Sequence, residues 1–544
     1  MTARQRWLIM LIVALAFVVR VWALDYKPVH FDEGVNGTLI DGMCTEGYYH
    51  YRPENFHGPL HFYALFASQQ LFGRSVWSLR MPTVLISTAS VALLFAFRRF
   101  LPFRALAIAA LAMALSPAMI FYARYAIHES WLMFFTMLAC LGVIGCAKQR
   151  SKGDVWALGL GLAGMVLTKE TYALHCIAAG LALGCVWLLD LFAPEAVRVA
   201  RNDRPNAASL FLPAQPATGE PAPEITDAPQ TGWREVLRIG AVCAGIVVAF
   251  YSGFGMDWGG VAGLWETWTP MLHKGTATGP GTEQEHHKSV YYFANLLLDY
   301  EWPALLGLIA SPLLVLPARS RALRFFALYG VALFIGYSLI PYKTPWCLLA
   351  MLPPLFIMTG WLAHRLCGFA GGAAVTLLLM VLLAQPTIDA WQLNFGAPGR
   401  TRINPVNDKH RYAYVQTTWD INKLLTPLKE LERRDRMNRY LHGHVYGERF
   451  PLSWQLGDMP NVLFFDDDKS PENYDADFLL VPEDRVAEVE AQLLGVYYKM
   501  AYLPREYGTA SWLYLASERF GSLAPTRTPE FHPRVRVEKT EAAQ

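Results

Sequence analysis

The sequence is short of charged residues and of the motifs that bind nucleotides. Only 17% of its 544 residues are charged and 53% are hydrophobic, with a mean hydropathy of +0.23. Soluble domains carry about 25% charged residues, so this composition predicts a membrane protein with several spans. No glycine-rich phosphate loop, HExxH or GxSxG motif occurs, which leaves an ATP or nucleotide-sugar site without support. The net charge of +2 comes without a basic stripe, so no nucleic-acid partner is expected.

Cysteine is also scarce, and its distribution is uninformative about chemistry. Seven of the eight cysteines lie within or beside hydrophobic segments, and none follows Cys367. No CxxC pair occurs. The pattern predicts buried free thiols rather than a disulfide framework or a zinc site.

Long hydrophobic runs are abundant. Twelve of them are candidate spans, near residues 7–24, 58–73, 80–98, 104–123, 127–147, 155–168, 171–191, 235–254, 302–317, 322–340, 345–361 and 366–384. Cytoplasmic loops are enriched in Lys and Arg, and four basic clusters mark such loops, at 98–104, 148–152, 198–204 and 319–324. All four fall inside if the short run at 58–73 lies in the membrane interface. The sequence therefore predicts an α-helical polytopic domain over 1–395 with about eleven spans, amino terminus inside and carboxyl terminus outside.

This arrangement gathers the polar motifs on the outer face. A first outer loop with interfacial helices, 25–79, contains HFDEGVNG and HGPLH, and the later outer connections are YARYAIHES, TKETY, the loop 255–301 and IPYKTPW. The inner face receives short basic connections and an insert at 194–234, whose proline and alanine content predicts disorder. Because the polar motifs share one side of the membrane, a functional site is expected there.

The region after the last span has a different character. Residues 400–521 lack a span-length apolar run. HVYGERF, NVLFFDDD and ADFLLVPED are typical of short strands, whereas WDINKLLTPLKELERRDR and AEVEAQLL have helical periodicity. This alternation predicts a small extracytoplasmic α/β domain, followed by a proline- and charge-rich flexible tail at 522–544.

An acidic pair follows the first span directly. Asp32 and Glu33 are either solvated loop residues or a catalytic group. A carboxylate at a lipid–water boundary is partly desolvated, and this raises its pKa towards the range useful for a general base. With His30 or His57 the pair could also chelate a divalent metal, an interpretation that we favour less.

Arg124, His128 and Glu129 occupy the junction of two spans in YARYAIHES. Arg124 and His128 are four residues apart and share a face if the helix is continuous. One interpretation is a salt-bridged helix end. The other is an arginine fork presented to a phosphate, which the planar guanidinium suits better than an ammonium does.

Lys169 and Glu170 lie between two hydrophobic segments with almost no loop. Ionisable groups so close to the bilayer are costly, and they usually have a partner or a function. A pairing of Lys169 with Asp32 or Glu129 is the structural alternative to substrate binding.

Two further polar stretches remain. Lys343 stands between prolines in IPYKTPW, where it could snorkel to the interface or face a substrate. His286 and His287 follow Glu283 and Glu285 in EQEHHKSVYYF, but their spacing matches no strong metal site.

Several motifs together resemble the GT-C class of membrane glycosyltransferases, which includes the protein O-mannosyltransferases and the lipid A aminoarabinose transferases. They are HFDE, HGPLHFYALFASQQLFG, SLRMPTVL and SPAMIFYARYAIHESWLMFF. More narrowly, TKE, AFYSGFGMDWGG, EHHKSVYYFANLLLDYE, IPYKTPW and the C-terminal YVQTTWD and VYGERFPLSWQL are similar to the prokaryotic flippase-activity-associated family, which is mannosyltransferase-like.

The resemblance implies a hexosyltransferase of the prokaryotic plasma membrane. It would move a sugar from a polyprenyl-phosphate donor to a protein, lipid or glycan acceptor outside, with inversion. Asp32 would be the general base and Glu33 its support, and Arg124, Lys169 and Lys343 would bind the donor phosphate. The remaining polar residues of these motifs would bind substrate, namely His30, His57, His128, Glu129, Glu170 and His287. The alternative is a non-catalytic transporter or accessory protein of lipid-linked sugar translocation, which the largely apolar spans make less favourable.

Overall fold

The structure is a computed structural model that describes residues 1–55, 57–192, 230–269, 287–315, 320–396, 410–447, 449–465, 469, 471–505, 510–523 and 525–533. The chain divides into two compact units. We call Met1–Tyr26 with Gly42–Pro405 the membrane unit, and Lys27–Asp41 with Val406–Gln544 the sheet unit. The start of the predicted first outer loop thus folds with the C-terminal region.

The helices before residue 396 follow the hydrophobic runs. Those of the amino-terminal half are α1 Ala3–Val21, α2 Phe31–Glu46, α3 Leu60–Phe72, α4 Val76–Leu93, α5 Phe103–Leu115, α6 Pro117–Ala123, α7 Glu129–Lys148, α8 Lys152–Val166 and α9 Tyr172–Phe192. Among the described residues of the carboxyl-terminal half lie α10 Trp233–Tyr251, α11 Gly259–Glu266, α12 Tyr292–Tyr300, α13 Trp302–Val315, α14 Arg321–Leu339, α15 Leu352–Ala370 and α16 Gly372–Phe395. Each of the eleven segments predicted to span contains a helix, and the run at 58–73 contains α3.

Fewer than eleven of these helices meet the criteria of length and hydropathy for a membrane span. Within the described part of the chain, five are long and apolar enough to cross a membrane. They are Val76–Arg99, which is α4 with the 3-10 helix Leu94–Arg99 that follows it, Glu129–Lys148, Tyr172–Leu191, Arg321–Leu339 and Gly372–Phe395. A sixth span results if α5 and α6 are counted as one bent helix, since they meet at 56°. The protein is therefore a multi-pass membrane protein.

Two predicted spans have different boundaries in the structure. The run at 104–123 is broken at Ser116, because a residue before proline disfavours the helical conformation. The Ser116 hydroxyl then accepts from the N–H of Met119 at 3.2 Å and caps α6. The span predicted at 366–384 begins only at Gly372, because Gly371, with φ +79°, ends α15.

All eight cysteines are free thiols, as predicted, but most of them are not buried. Only Cys140 and Cys243 are buried, and Cys176 and Cys185 are exposed on α9. The prediction of burial was wrong there because a hydrophobic helix in a membrane protein can expose its apolar face to lipid instead of packing it inside.

The sheet unit contains a five-stranded mixed sheet in the order β2-β1-β3-β5-β4. Its strands are β1 Gly443–Tyr446, β2 Val462–Phe465, β3 Phe478–Pro482, β4 Tyr497–Tyr502 and β5 Ser511–Ala516. The first three are parallel to one another, and β5 runs antiparallel to β3 and β4. The three predicted strands are β1 to β3, whereas the hairpin of β4 and β5 was not predicted.

Four helices accompany the sheet: α17 Asn422–Arg434, α18 Leu452–Gln455, α19 Val486–Glu490 and α20 Ser517–Phe520. The predicted helices correspond to α17 and α19. Leu424, Leu428 and Leu431 of α17 are buried in the core beside the sheet, as the 3.6-residue period requires. Part of the predicted flexible tail is attached, because Phe531 bridges Tyr497. Residues 534–544 and nearly all of the predicted insert 194–234 lie outside the described residues.

Candidate active site

The two adjacent acids have different surroundings in the first turn of α2. Glu33 is fully buried, and its Oε2 accepts a hydrogen bond from the backbone N–H of His30 at 2.9 Å. The Asp32 side chain is 43% exposed. Carboxylates in the first turn are stabilised by the helix dipole, so both positions suit an acid. Of the two carboxylates, only that of Asp32 is exposed.

The His30 ring links Asp32 to the C-terminal sequence. Its Nε2 lies 3.0 Å from the carbonyl oxygen of Tyr414, which can only accept, so Nε2 carries a proton. Its Nδ1 accepts the backbone N–H of Asp32 at 3.1 Å. The two nitrogens of His30 thus connect the Tyr414 carbonyl to the backbone of Asp32.

A second group of polar residues assembles in the membrane unit, where HGPLH meets TKE. The N–H of Gly58 donates to Thr168 O at 3.1 Å and that of Leu60 to Leu167 O at 3.0 Å. A Cβ on Gly58 would lie 2.3 Å from the backbone of Leu167, so only glycine allows this approach. The contact places His57 opposite Lys169.

The ionisable side chains of this group form two close pairs. His57 Nδ1 lies 3.0 Å from Glu170 Oε2, and the Lys169 ammonium donates to Glu129. Burial raises the pKa of Glu170, but His57 and Lys169 outweigh it and hold the pKa below its ordinary value. Burial lowers the pKa of Lys169, and Glu129 and Glu170 reverse this to a net increase. The predicted alternative of a Lys169–Glu129 pair is confirmed.

Three histidine rings continue the group inward. The ring of His128 lies 4.5 Å from that of His57 and 4.2 Å from that of His61. Burial, followed by the neighbouring histidines and Lys169, depresses the pKa of His128 well below its ordinary value, so its ring is neutral. We call His57, His61, His128, Glu129, Lys169 and Glu170 the ion-pair cluster.

Arg124 follows α6, and its guanidinium is directed at backbone oxygens. It donates to the carbonyls of Arg20 at 3.0 Å, of Ala23 at 2.7 Å and of Trp22. The last carbonyls of a helix have no intrahelical partner, and Arg124 provides one for the end of α1. It also packs 4.6 Å from the ring centre of Phe395. A phosphate at Arg124 would share these N–H donors.

Lys343 is held in a similar way. It is only 2% exposed, and its ammonium donates to the carbonyls of Lys288 (3.1 Å) and Ile340. Burial lowers its pKa. His287 lies beside it through a bridge to Tyr342. The snorkelling interpretation of Lys343 was wrong, because its ammonium group is directed into the protein.

No arrangement of three or more His, Cys, Asp or Glu side chains suited to a metal ion occurs among the residues that the structure describes. His30 Nδ1 does approach Asp32 Oδ2, at 3.8 Å, but it accepts the N–H of Asp32. Glu283, Glu285 and His286, the other metal candidates, lie outside the described residues.

Sequence reasoning missed two members of these groups. His61 ends the HGPLH motif, which also begins with a histidine, His57, and this repetition could have indicated a shared position. Glu301 is fully buried, and its Oε1 accepts from the Ser116 hydroxyl at 2.8 Å and the N–H of Ala118 at 2.9 Å. It thereby caps the start of α6, and nothing in its local sequence indicates this partner 185 residues away.

The region that contains the ion-pair cluster matches a known protein family, and the fold resembles known enzymes. Residues 56–190, which include the whole ion-pair cluster, match the family described as dolichyl-phosphate-mannose-protein mannosyltransferase. No curated protein matches the sequence. The fold resembles ArnT from Cupriavidus metallidurans bound to undecaprenyl phosphate, with TM-score 0.56 and 15% identity over 93% of this chain and 97% of that one. It also resembles the oligosaccharyltransferase AglB from Archaeoglobus fulgidus in complex with an inhibitory peptide and a dolichol-phosphate, with TM-score 0.53 and 11% identity over 96% and 77%.

The family match and the fold agree with each other. The match covers the region in which HGPLH, YARYAIHES and TKE assemble, and the two enzymes that share the fold align over nearly the whole chain. The chain therefore has the fold of these two membrane enzymes, and its residues 56–190 match the model of the dolichyl-phosphate-mannose-protein mannosyltransferase family.

Proposed function

We propose that this protein transfers a hexose, with inversion, from a polyprenyl-phosphate donor to an acceptor hydroxyl on the extracytoplasmic face of a prokaryotic plasma membrane. The single observation that carries the assignment of the base is the contrast between two neighbouring acids. Asp32 is 43% exposed, whereas Glu33 is fully buried against the N–H of His30.

The donor class is supported by the relatives. The matching family is described by dolichyl-phosphate-mannose, and the ArnT and AglB structures contain undecaprenyl phosphate and a dolichol-phosphate. A donor that stays in the lipid needs no nucleotide-binding fold, and the sequence contains no nucleotide motif. The acceptor is a protein, a lipid or a glycan.

The reaction is a direct displacement. The acceptor oxygen attacks the anomeric carbon opposite the phosphate, the bond from that carbon to the phosphate oxygen breaks, and polyprenyl phosphate leaves. Asp32 accepts the proton of the acceptor hydroxyl, which typically accelerates such a step about 10²–10⁴-fold. No metal ion is needed for this proton transfer.

Cationic groups would stabilise the charge that develops on the leaving phosphate. Among the three predicted ligands, we favour Lys169. Its ammonium donates to Glu129, and an ammonium has three donors in all. Arg124 donates three hydrogen bonds to backbone carbonyls and Lys343 donates two, so we propose that they contribute less to phosphate binding. The Nε–H of Arg124 has no hydrogen-bond partner among the described residues and could still reach a phosphate. His57, His128, Glu129, Glu170, His287 and His30 are proposed to bind or orient substrate.

We also propose the membrane topology that the basic loops indicate. The chain crosses the membrane eleven times with its amino terminus in the cytoplasm, and the 400–521 domain is extracytoplasmic. Ion pairs form at the predicted cytoplasmic loops, between Arg99 and Asp154 and between Lys152 and Glu235. They are consistent with this topology.

The activity is tested with purified protein in detergent and a panel of polyprenyl-phosphate hexoses. We expect release of polyprenyl phosphate from one of them and a product of inverted anomeric configuration. Asp32→Asn should abolish release, whereas Glu46→Gln, which removes an exposed carboxylate from the other end of the same helix, should not. Failure to consume any donor would refute the enzymatic proposal.

The same experiment separates the transferase from the transporter. A transporter moves the donor between leaflets and leaves its sugar–phosphate bond intact, so it shows activity only in sealed vesicles. A transferase cleaves that bond in detergent as well. Translocation in vesicles without cleavage in either system would establish the alternative.

A further inference from the structure

Helix α2 contacts the C-terminal sequence through its backbone. A Cβ on Gly34 would lie 2.5 Å from the Cα of Pro451, and a Cβ on Gly37 would lie 2.4 Å from Cγ of Trp454. Real contacts of this kind begin at about 3.4 Å. Because both glycines are one turn apart on one face, the helix rests on the segment of Pro451 and Trp454 at a distance that no side chain permits.

Side chains secure the same face. The ring of Phe31 meets that of Phe450 edge to face at 5.4 Å, and the guanidinium of Arg505 lies 4.5 Å from the centre of the Phe31 ring. Thr38 and Ser453 bring their hydroxyl oxygens to 3.2 Å. These contacts bracket Asp32 at both ends of the helical segment that belongs to the sheet unit.

The His30 ring adds a hydrogen-bonded connection. Its Nε2–H donates to Tyr414 O, and its Nδ1 accepts the N–H of Asp32. The backbone of Asp32 is thereby tied to residue 414, which lies 382 positions later in the sequence. His30 is 3% exposed, so water does not replace either bond easily.

We propose that the sheet unit positions Asp32, with Gly34, Gly37 and His30 as the positioning residues and the Pro451–Trp454 segment as the surface against which α2 is set. This inference rests on the proposed role of Asp32 as the base. The C-terminal sequence then contributes to the chemical step through the helix that carries the carboxylate, in addition to any contact with the acceptor.

The reaction rate should depend strongly on the position of α2. Catalytic groups must be held within about 0.5 Å of their productive position, and a displacement of about 1 Å can cost 10²-fold in rate. A methyl group on Gly37 falls short of the nearest ordinary contact by 1.0 Å. Either α2 or the indole of Trp454 must therefore move by a distance that matters to the reaction.

The first test compares two alanine substitutions in α2. Gly37→Ala should lower kcat about 10–100-fold and leave the donor KM within twofold of wild type. Gly42→Ala is the matched control, since a Cβ at Gly42 meets nothing within 4 Å, and it should leave both constants unchanged. Gly37→Ala combined with Trp454→Leu should recover most of the lost kcat, because the smaller side chain makes room for the methyl group.

The outcome that overturns the proposal is specific. Equal kcat in the Gly37→Ala and Gly42→Ala variants would show that the position of α2 is unimportant. A parallel rise in KM would show a substrate contact instead. If wild type consumes no donor at all, the proposed function fails, whereas an active wild type with insensitive glycines removes only the positioning role.

A crosslink provides a test that does not depend on the folding of Gly37→Ala. Thr38→Cys with Ser453→Cys should form a disulfide on oxidation, and the oxidised full-length enzyme should keep at least half the activity of its reduced form. The two single-cysteine variants control for the native thiols. Failure of the disulfide to form, or activity that is lost on oxidation and restored on reduction, would show that α2 does not stay on this surface during turnover.

Discussion

The two candidate regions are held in place by different means. In the sheet unit, the Asp32 helix is fixed by close backbone packing at two glycines and by the hydrogen bonds of His30. In the membrane unit, the ion-pair cluster is fixed by the ion pair of Lys169 with Glu129 and by the close contact of His57 with Glu170. Packing leaves a carboxylate exposed and available, whereas pairing keeps ionised groups stable in a buried position. In the proposed function, Asp32 has the first environment and Lys169 has the second.

The strongest way to break this contrast is to remove one charge from the cluster. Lys169→Met leaves Glu129, which is 6% exposed, without its cation. Removing one partner of a buried pair typically costs about 3–5 kcal/mol, so the variant should unfold at a markedly lower temperature and lose donor binding. Thermal unfolding in detergent measures the first effect.

The matched control is Lys169→Met with Glu129→Gln, which removes both charges. Replacing both members of a buried pair costs far less than replacing one, so the double variant should regain much of the unfolding temperature. Equal destabilisation of the single and double variants would contradict the pairing.

The histidines of the cluster should make stability depend on pH. Burial, together with the charge of His57, lowers the pKa of His61 to about 3 against an opposing hydrogen bond with Ala126, and the pKa of His128 is also depressed. At a pH below about 6.5, the ordinary pKa of histidine, these two side chains are protonated in the unfolded chain but stay neutral in the folded protein. Each histidine should then reduce the unfolding free energy by about 1.4 kcal/mol per pH unit.

This dependence is measured as the unfolding temperature between pH 5 and 8. It should be level above pH 7 and fall below pH 6.5, while the carboxylate of Glu170, whose pKa lies below its ordinary value, contributes only at lower pH. His61→Leu should make the fall shallower by the contribution of one group. An identical slope in the variant and wild type would show that His61 is charged in the folded protein.

In the sheet unit, the corresponding change is Glu33→Ala. The substitution removes the acceptor of the buried His30 N–H, and an unsatisfied buried donor costs about 1–3 kcal/mol. The unfolding temperature should fall by less than in Lys169→Met. Asp32→Asn, at an exposed position, should leave it nearly unchanged, and a larger loss for Asp32→Asn would reverse our assignment of the two acids.

The smallest expected effect is a gain. Gly42→Ala places a methyl group in open space within α2, and alanine stabilises a helix interior by about 0.5–1 kcal/mol relative to glycine. The unfolding temperature should rise slightly, whereas Gly37→Ala should lower it. A similar shift for both would contradict the close contact of Gly37 with Trp454.

The sequence predicted the features that depend on local pattern. A helix is present in each hydrophobic run that was expected to span. The hydropathy of a segment depends only on its own side chains, so it can be read from the sequence without knowledge of distant contacts. The pairing of Lys169 with Glu129 was foreseen as an alternative, since the cost of a buried charge demands a partner. Strands β4 and β5 were missed because their burial, for example along Ser511–Ala516, does not alternate, and so the two-residue period is absent.

Contacts between distant segments could not be predicted in this way. For Arg124 the sequence left open a salt-bridged helix end and an arginine fork facing a phosphate. The structure directs Nη1 and Nη2 at carbonyls of the α1 terminus, and a sequence does not distinguish a carbonyl from a phosphate oxygen as acceptor. That Lys27–Asp41 folds with Val406–Gln544 depends on the space left by Gly34 and Gly37. The local sequence around either glycine does not indicate which distant residue the glycine contacts.

The division of roles between Asp32 and Lys169 is tested most directly by measuring donor binding and transfer in the same preparations. With a purified polyprenyl-phosphate hexose that wild type consumes, Asp32→Asn should bind the donor within twofold of wild type and transfer its sugar at least 100-fold more slowly. In the double variant Lys169→Met with Glu129→Gln, donor affinity should fall more than the rate of transfer by the bound enzyme. Unchanged transfer in Asp32→Asn, or an equal loss of binding and transfer, would contradict the role of Asp32 as the base.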